Sequence, residues 1–335
     1  EQGICRTCQS QAQKKDIDWT KRRKELKKIL TEAKAKAGDN YDCIVPISGG
    51  KDSLYQLHVV VKEFGLKPLA VTFNHNWFSK TGWYNLQNAL EKMDIDHVMF
   101  TPSRSLVNRI AKRSLETIGD ACWHCHMGVS SFIIKMAVAY KIPLLVWGES
   151  TAEHGRATYL KPDKFDRDYF LRVSARLTPE KFACDYLSMK DLFPFMTPSA
   201  EECEAIGLNG IHLGDYIPWD TEKQVSFIKE TYGWKGTAIE GQYKDYKSAE
   251  CSMAGMHDFM CYCKRGFGRA SIQASGEIRE GTLSKQFGGL NWMLDTERMR
   301  PASLDYYLEI TGMSEMEFYE AIAKLQHPKI KGKHI

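Results

Sequence analysis

Residues 46–57 read PISGGKDSLYQL, directly behind the strand-forming run YDCIV at 41–45. Two adjacent glycines between a buried strand and a helix let the backbone turn tightly and bring successive N–H groups near one ligand. A helix from about Asp52 adds the positive end of its dipole, so the corner is an anion cradle. Lys51 supplies a mobile cation for phosphate charge, and Ser48 and Ser53 supply hydroxyl donors. Asp52 is paradoxical beside an anion unless it caps the helix or helps hold a magnesium ion that bridges phosphate oxygens. The interval between glycine and lysine is too short for the GxxxxGK[ST] loop of ordinary phosphate-binding NTPases.

Working outward from this corner, strand-like runs alternate with helix-like stretches. KPLAVTFNH (67–75), DHVMF (96–100) and IPLLVWGES (142–150) read as further strands, with helices over 52–64 and between the later runs. Their hydrophobicity is continuous rather than alternating, which suits strands buried on both faces of a parallel sheet. The pattern predicts an α/β fold, a doubly wound parallel sheet, over residues 39–180 and a mostly helical substrate or assembly domain over 181–335. In such a sheet the ligand crevice lies at the carboxyl ends of the strands, so TFNHN (72–76), with Asn74, and WGES (147–150), with Gly148 and Glu149, should face the nucleotide. Glu149 is also readable as a carboxylate near a helix N-terminus.

Bulk properties set the outer limits. The chain has 335 residues, 43% of them hydrophobic, and a formal charge of +4, too small an excess to argue for nucleic acid by itself. No apolar run approaches the roughly 18 residues of a membrane span and no signal-peptide pattern opens the chain, so a cytoplasmic location is expected. The lysine-rich stretch at 14–38 reads as a solvated helix, within a basic helix or linker over 13–38, in which Trp19, Leu26, Ile29 and Leu30 supply an apolar stripe. Ten cysteines without secretion signals point to reduced thiols or metal ligands rather than a disulfide scaffold. Two CxxC pairs stand out, CRTC at Cys5 and Cys8 and CWHC at Cys122 and Cys125.

Ser48, Gly49, Gly50, Asp52 and Ser53 match the SGGxDS signature of the PP-loop ATP pyrophosphatases, the adenine-nucleotide alpha-hydrolase-like enzymes. Beyond it, GICRTC (3–8), WGES (147–150), GLNGIHLGDYIPWD (207–220) and HDFMCYCKRGFGRAS (257–271) extend the likeness over nearly the whole chain. The sequence resembles the N-acetyl sugar amidotransferases of bacterial surface-polysaccharide (lipopolysaccharide, O-antigen) biosynthesis. That resemblance implies ATP and Mg2+ as cofactors, cleavage of ATP between its α and β phosphates, and transfer of AMP to an amide oxygen of a nucleotide-activated N-acetyl sugar. Ammonia would then displace AMP and leave an acetamidino group. Lys51, Asp52 and Glu149 would carry the chemistry, with Ser48, Gly49, Gly50, Lys51, Asp52, Ser53, Asn74 and Gly148 on ATP.

For the sugar nucleotide, Arg265 and Arg269 could clamp a diphosphate, while Asp215 and Tyr216 could recognise hydroxyls and stack; helix-end solvation and plain core packing are the competing readings. No glutaminase arrangement is visible, since Cys43 and Cys184 lack a nucleophile turn. The resemblance therefore implies a separate glutaminase subunit, of the type that works with a histidine-pathway cyclase, with no membrane or nucleic-acid partner.

A CxxC pair offers two thiolates at the bite that tetrahedral zinc needs, but a closed site takes four ligands. The family carries a further CxxC upstream, so residues 1–12 are expected to be the remnant of a small N-terminal zinc knuckle. Cys5, Cys8, Cys122 and Cys125 together would make a structural Zn2+ site. The alternative is an iron–sulfur cluster on Cys122 and Cys125 with a later thiolate from Cys203, Cys251, Cys261 or Cys263, as in PP-loop tRNA thiolases. That assignment carries the second functional reading, sulfur insertion into tRNA. A noncatalytic nucleotide-binding subunit is the third, and the intact Ser48, Lys51, Asp52 and Ser53 speak against it.

Overall fold

The computed structural model describes residues 3–4, 6–150, 152, 165–172 and 177–331. Five strands, β1 (Cys43–Pro46), β2 (Pro68–Phe73), β3 (His97–Phe100), β4 (Leu144–Trp147) and β5 (Asn209–His212), form one sheet in the order β3-β2-β1-β4-β5. Every pairing is parallel, with Ile44 opposite both Leu69 and Leu145. β1 and β2 are buried along their whole length, which is why their sequences are apolar at successive positions.

Sixteen α-helices are described: α1 (Arg6–Gln13), α2 (Trp19–Ala37), α3 (Lys51–Leu57), α4 (Lys80–Met93), α5 (Arg104–Ile118), α6 (Trp123–Tyr140), the short α7 (Arg167–Phe170), α8 (Pro179–Phe182), α9 (Met189–Leu192) and α10 (Ala200–Ala205), then α11 (Thr221–Tyr232), α12 (Ala254–Arg265), α13 (Arg269–Glu280), α14 (Leu290–Asp295), α15 (Ser303–Thr311) and α16 (Glu315–Lys324). Because side chains alternate along a strand, Cys43, Val45, Leu144 and Val146 face one layer with α2, α3, α4 and α11. Ile44, Leu69, Val71 and Leu145 face the opposite layer with α5 and α6. The sheet is therefore doubly wound.

Close approach of α6 to β2 depends on one residue. A Cβ on Gly128 would stand 2.2 Å from the ring of Phe73, so only glycine lets the helix lie this near the sheet. In the basic helix α2, Leu26 and Leu30 are buried in the sheet's core and Ile29 and Ala33 pack beside them. Its lysines lie on the solvent side, except that Lys34 Nζ donates to the carbonyl of Gly65 at 2.7 Å.

The structure departs from the sequence reading in the second half. Residues 209–212, read as helix and loop, form β5, and their neighbours Leu213, Ile217, Val225, Ile228 and Trp234 complete the core beside α3 and α4. A run of four residues, NGIH, is too short and too glycine-rich to register as a strand; pairing with β4 from Leu144 opposite Asn209 to Trp147 opposite His212 forms it. The α/β layer thus continues past residue 180. A third core joins Val107, Ala111 and Leu115 of α5 to Met256 and Met260 of α12, Leu304 and Tyr307 of α15, and Phe318 and Ile322 of α16. Tyr307 Oη donates to the carbonyl of Ala111 at 3.1 Å, so the helical C-terminal part is packed on α5.

Candidate functional site

The sheet order reverses between β1 and β4, and the glycine corner sits at that switch point. Gly49 has φ +78°, and a Cβ there would stand 2.4 Å from the Gly82 carbonyl oxygen of α4. Trp234 Nε1 donates to the Gly49 carbonyl at 3.0 Å and pins the turn from above. Ser48 Oγ accepts from the Gly50 N–H at 3.3 Å, and Ser53 Oγ donates to the Gly50 carbonyl at 2.9 Å. Across the switch point, Gln56 Nε2 donates to the Val146 carbonyl at 2.7 Å and ties α3 to β4. Gly148, at the end of β4, is tightly packed: a Cβ would stand 3.1 Å from Gln56 Oε1 and 3.1 Å from the Trp219 ring.

Lys51 is only 5% exposed, and its ammonium bonds the carboxylate of Asp52 at 2.5 Å. Burial alone would lower its pKa, but the charges of Asp52, Glu149 and Glu250 outweigh burial and raise it, so the lysine is held as a cation. Glu250 was not foreseen. It lies over the corner, its carboxylate 3.1 Å from where a Gly50 Cβ would be, and burial raises its carboxyl pKa. Lys247 lies in the same electrostatic environment, with its pKa lowered by burial and by Lys51.

A cleft of about 500 Å3 opens at this point, lined by Ser48, Asp52, Ser53 and Glu149 together with Glu250, His257, Asp258 and Arg269 from the second half of the chain. A smaller recess beside it, of about 140 Å3, shares Glu149 and Arg269 and adds Trp219 and Lys247. Arg269 opens α13 and is braced by Asp258, Nη2 to Oδ1 3.2 Å and Nε to Oδ2 3.3 Å. Asp258 also accepts from Gln242 Nε2 at 2.9 Å. These bonds hold the guanidinium at the cleft wall. Arg265 ends α12 one turn away and lines neither space, and Gly266 at φ +81° caps that helix.

The other expected residues lie as follows. Asn74 is used by its own loop, its amide donating to Thr101 Oγ1 at 3.0 Å and its carbonyl accepting from the Asn76 N–H at 2.8 Å, while Phe73 and His75 line the cleft. Asp215 is buried and accepts from Ser150 Oγ, and Gly214 N–H donates to the Gly148 carbonyl at 2.9 Å. The LGDY turn is thereby tied to WGES. Tyr216 is half-buried against the core near Arg22 and Glu25 of α2 and has no place in the cleft lining.

Cys5 lies outside the described residues. Cys8 is on α1, which packs against α13 at the smaller recess. Cys122 and Cys125 instead line the main cleft together with Cys251 and His257. Among the described residues, Asp120, Cys122 and His257 offer ligand atoms within 4.8 Å of one another, a possible metal site that does not include Cys8. The HDFMC spacing, which puts His257 and Cys261 one turn apart on α12, was the available sequence signal for this cluster. Nothing in the sequence marked Glu250 or Lys247.

Comparisons with known proteins bear on this arrangement. Residues 240–333 match the family of the LPS biosynthesis protein WbpG-like, C-terminal domain, the segment that contains Glu250, His257, Asp258 and Arg269. This agrees with the resemblance to surface-polysaccharide enzymes read from GFGR. "Uncharacterized protein MJ1599" of Methanocaldococcus jannaschii is 34% identical over 79 residues, which are 24% of this chain and 28% of that protein. The NMN synthetase from Francisella tularensis is a structural neighbour with a TM-score of 0.41 and 12% identity, covering 85% of this chain and 98% of the neighbour.

Proposed function

We propose that the chain is an ATP-dependent, AMP- and pyrophosphate-forming amidotransferase that turns the acetamido group of a nucleotide-activated N-acetyl sugar into an acetamidino group in surface-polysaccharide biosynthesis. One observation carries the reading: residues of the SGGKDS corner and of the WbpG-like C-terminal segment line the same cleft. An adenylating corner thereby shares its cleft with a segment associated with lipopolysaccharide synthesis.

The amide carbonyl is a weak electrophile and its oxygen a poor leaving group. Attack of that oxygen on the α-phosphorus of ATP forms an O–P bond and breaks the bond to pyrophosphate, giving an adenylated imidate. Ammonia adds to the imidate carbon, the C–O bond breaks, AMP departs, and a proton lost from nitrogen leaves an amidine. Lys51 and the corner's backbone N–H groups stabilise the phosphate charge that develops. The carboxylates of Asp52 and Glu149 line the cleft and act on Lys51, a donor pair suited to a hard divalent cation, and they would hold Mg2+. When bound, Mg2+ supplies charge neutralisation on the phosphate oxygens. Glu250, its carboxyl pKa raised by burial, can hold the proton released by the entering ammonia. Arg269 and Lys247, at the adjoining recess, would bind the sugar nucleotide's diphosphate. Ammonia would come from a separate glutaminase subunit associated with a cyclase-like partner.

The test is purified protein with ATP, ammonium and a panel of nucleotide sugars. The expected result is AMP and pyrophosphate formed only with an acetamido sugar, and a product in which NH has replaced oxygen by mass. AMP formation indifferent to every sugar defeats the reading. A second reading, sulfur insertion into tRNA, draws support from the thiols gathered in the cleft. It requires tRNA binding that weakens steeply with salt.

A further inference from the structure

At the cleft, where Cys122, Cys125, Cys251 and His257 line the space, three separate segments bring potential metal ligands together. Asp120 precedes α6, Cys122 and Cys125 stand at its start, Cys251 lies just before α12, and His257 and Cys261 lie one turn apart on α12. Asp120 Oδ1 lies 3.7 Å from His257 Nδ1, and Cys261 Sγ lies 3.7 Å from His257 Nε2. Cys251 is within electrostatic reach of both Cys122 and Cys125. Among the described residues none of these thiols is in a disulfide. Among the described residues the buried His257 Nδ1 makes no close hydrogen bond, while the Cys122 and Cys261 thiols lie against the same ring, a grouping that another ligand would satisfy.

The distances suit a metal. Tetrahedral zinc with sulfur near 2.3 Å and nitrogen near 2.0 Å has ligand atoms separated by roughly 3.3–3.8 Å along each edge. The 3.7 Å from Asp120 to His257 already falls in that range before any ion draws the groups inward. Asp120 Oδ1 also accepts from the Cys122 N–H at 2.9 Å, which fixes the carboxylate and the thiol relative to each other. We propose that this cluster, organised on Cys122 with Asp120 and His257 on one side and Cys125 and Cys251 on the other, binds a thiophilic metal, and that Cys8 is not a ligand. Thiolate ligation is common to a single zinc-like ion and to an iron–sulfur cluster, and the two differ in how many of these thiols they engage. In either form the metal joins the start of α6 to α12. It therefore fastens the α/β layer to the helical part across the cleft that holds the SGGKDS corner.

The experiment uses the full chain purified without oxygen, with neither ATP nor sugar, so its outcome is independent of the amidotransfer reading. Metals are counted by mass spectrometry, sulfide chemically, and thiolate charge-transfer bands are recorded after cobalt(II) is added to the chelator-treated protein. Stoichiometric metal is expected in the wild type and in Cys8→Ser, with a loss of several-fold in Cys122→Ser and in His257→Gln. Zinc with a cobalt–thiolate band identifies the single ion; iron with equal sulfide and visible absorbance, lost in Cys251→Ser, identifies the cluster. If Cys122→Ser does not fold, the cobalt titration of the wild-type protein decides. The absence of both metal and band in the wild type, full metal in a folded Cys122→Ser, or loss of metal in Cys8→Ser overturns the proposal.

Discussion

Asp52 shows how much one side chain in the corner can do. It is 36% exposed and contacts the buried Lys51, which keeps Glu149 and Glu250 as further counter-charges if Asp52 is removed. Asp52→Ala should therefore lower ATP-dependent pyrophosphate release by about 100-fold or more, on the scale of losing one transition-state electrostatic group. Its unfolding free energy should stay within about 0.5 kcal/mol of wild type. Steady-state pyrophosphate assays and urea unfolding of the same preparation separate the two, and a fully active variant removes Asp52 from the chemistry. His75 offers a pH test at the same scale. It is stacked on Phe78 at 4.7 Å, its Nδ1 accepts from the Trp77 N–H at 3.2 Å, and burial lowers its pKa to about 4. The fold binds the neutral ring while the unfolded chain protonates near pH 6.5, so this contribution is complete above about pH 6.5 and is lost as pH falls toward about 4. The loss should approach about 3 kcal/mol at most. Urea midpoints measured across that range should fall less steeply in His75→Asn, whose amide oxygen can accept the same N–H.

At the scale of elements, the fold rests on a few close approaches. Gly128 on α6 faces the Phe73 ring of β2 with no room for a Cβ. Gly128→Val should overpack this contact and cost about 3 kcal/mol or more, a large part of a typical stability of about 5–15 kcal/mol. Gly128→Ala should fold with a lowered melting temperature, and calorimetry of the pair checks the series; an unchanged melting temperature in Gly128→Val would show that α6 can shift. Elements with a strong local signal were legible in the sequence: β1, β2 and β4 are continuous apolar runs, and α3 follows the glycine corner as the helix dipole argument requires. β5 was not, because its four residues have no periodicity of their own and become a strand only through β4. Asn74 was legible as a strand-end residue, yet its amide closes a local turn through Thr101 and Asn76, partners 27 and 2 positions away.

On the scale of the whole molecule, the helical part is not an appendage. Removing residues 240–335 would strip Met256, Met260, Leu304, Tyr307, Phe318 and Ile322 from the core against Val107, Ala111 and Leu115, and would take away one wall of the cleft. The truncated chain should be insoluble or bind hydrophobic dye strongly, because α5 would present its buried face to water. A soluble, cooperatively melting truncation would show that the two parts fold separately. The sequence by itself determined the glycine corner between β1 and α3, the parallel α/β layer and the helical character of the C-terminal part. Each of these follows from local rules: glycine permits the turn, unbroken hydrophobicity marks a strand buried on both faces, and helical periodicity marks a helix. Only the tertiary structure decided that Glu250, His257, Asp258 and Arg269 share a cleft with Ser48 and Asp52, and that Cys122 and Cys125 line it with Cys251 and His257. Those meetings span more than a hundred residues of chain, and they are fixed by how α12 and α13 pack against α5 and the sheet, which no local pattern encodes.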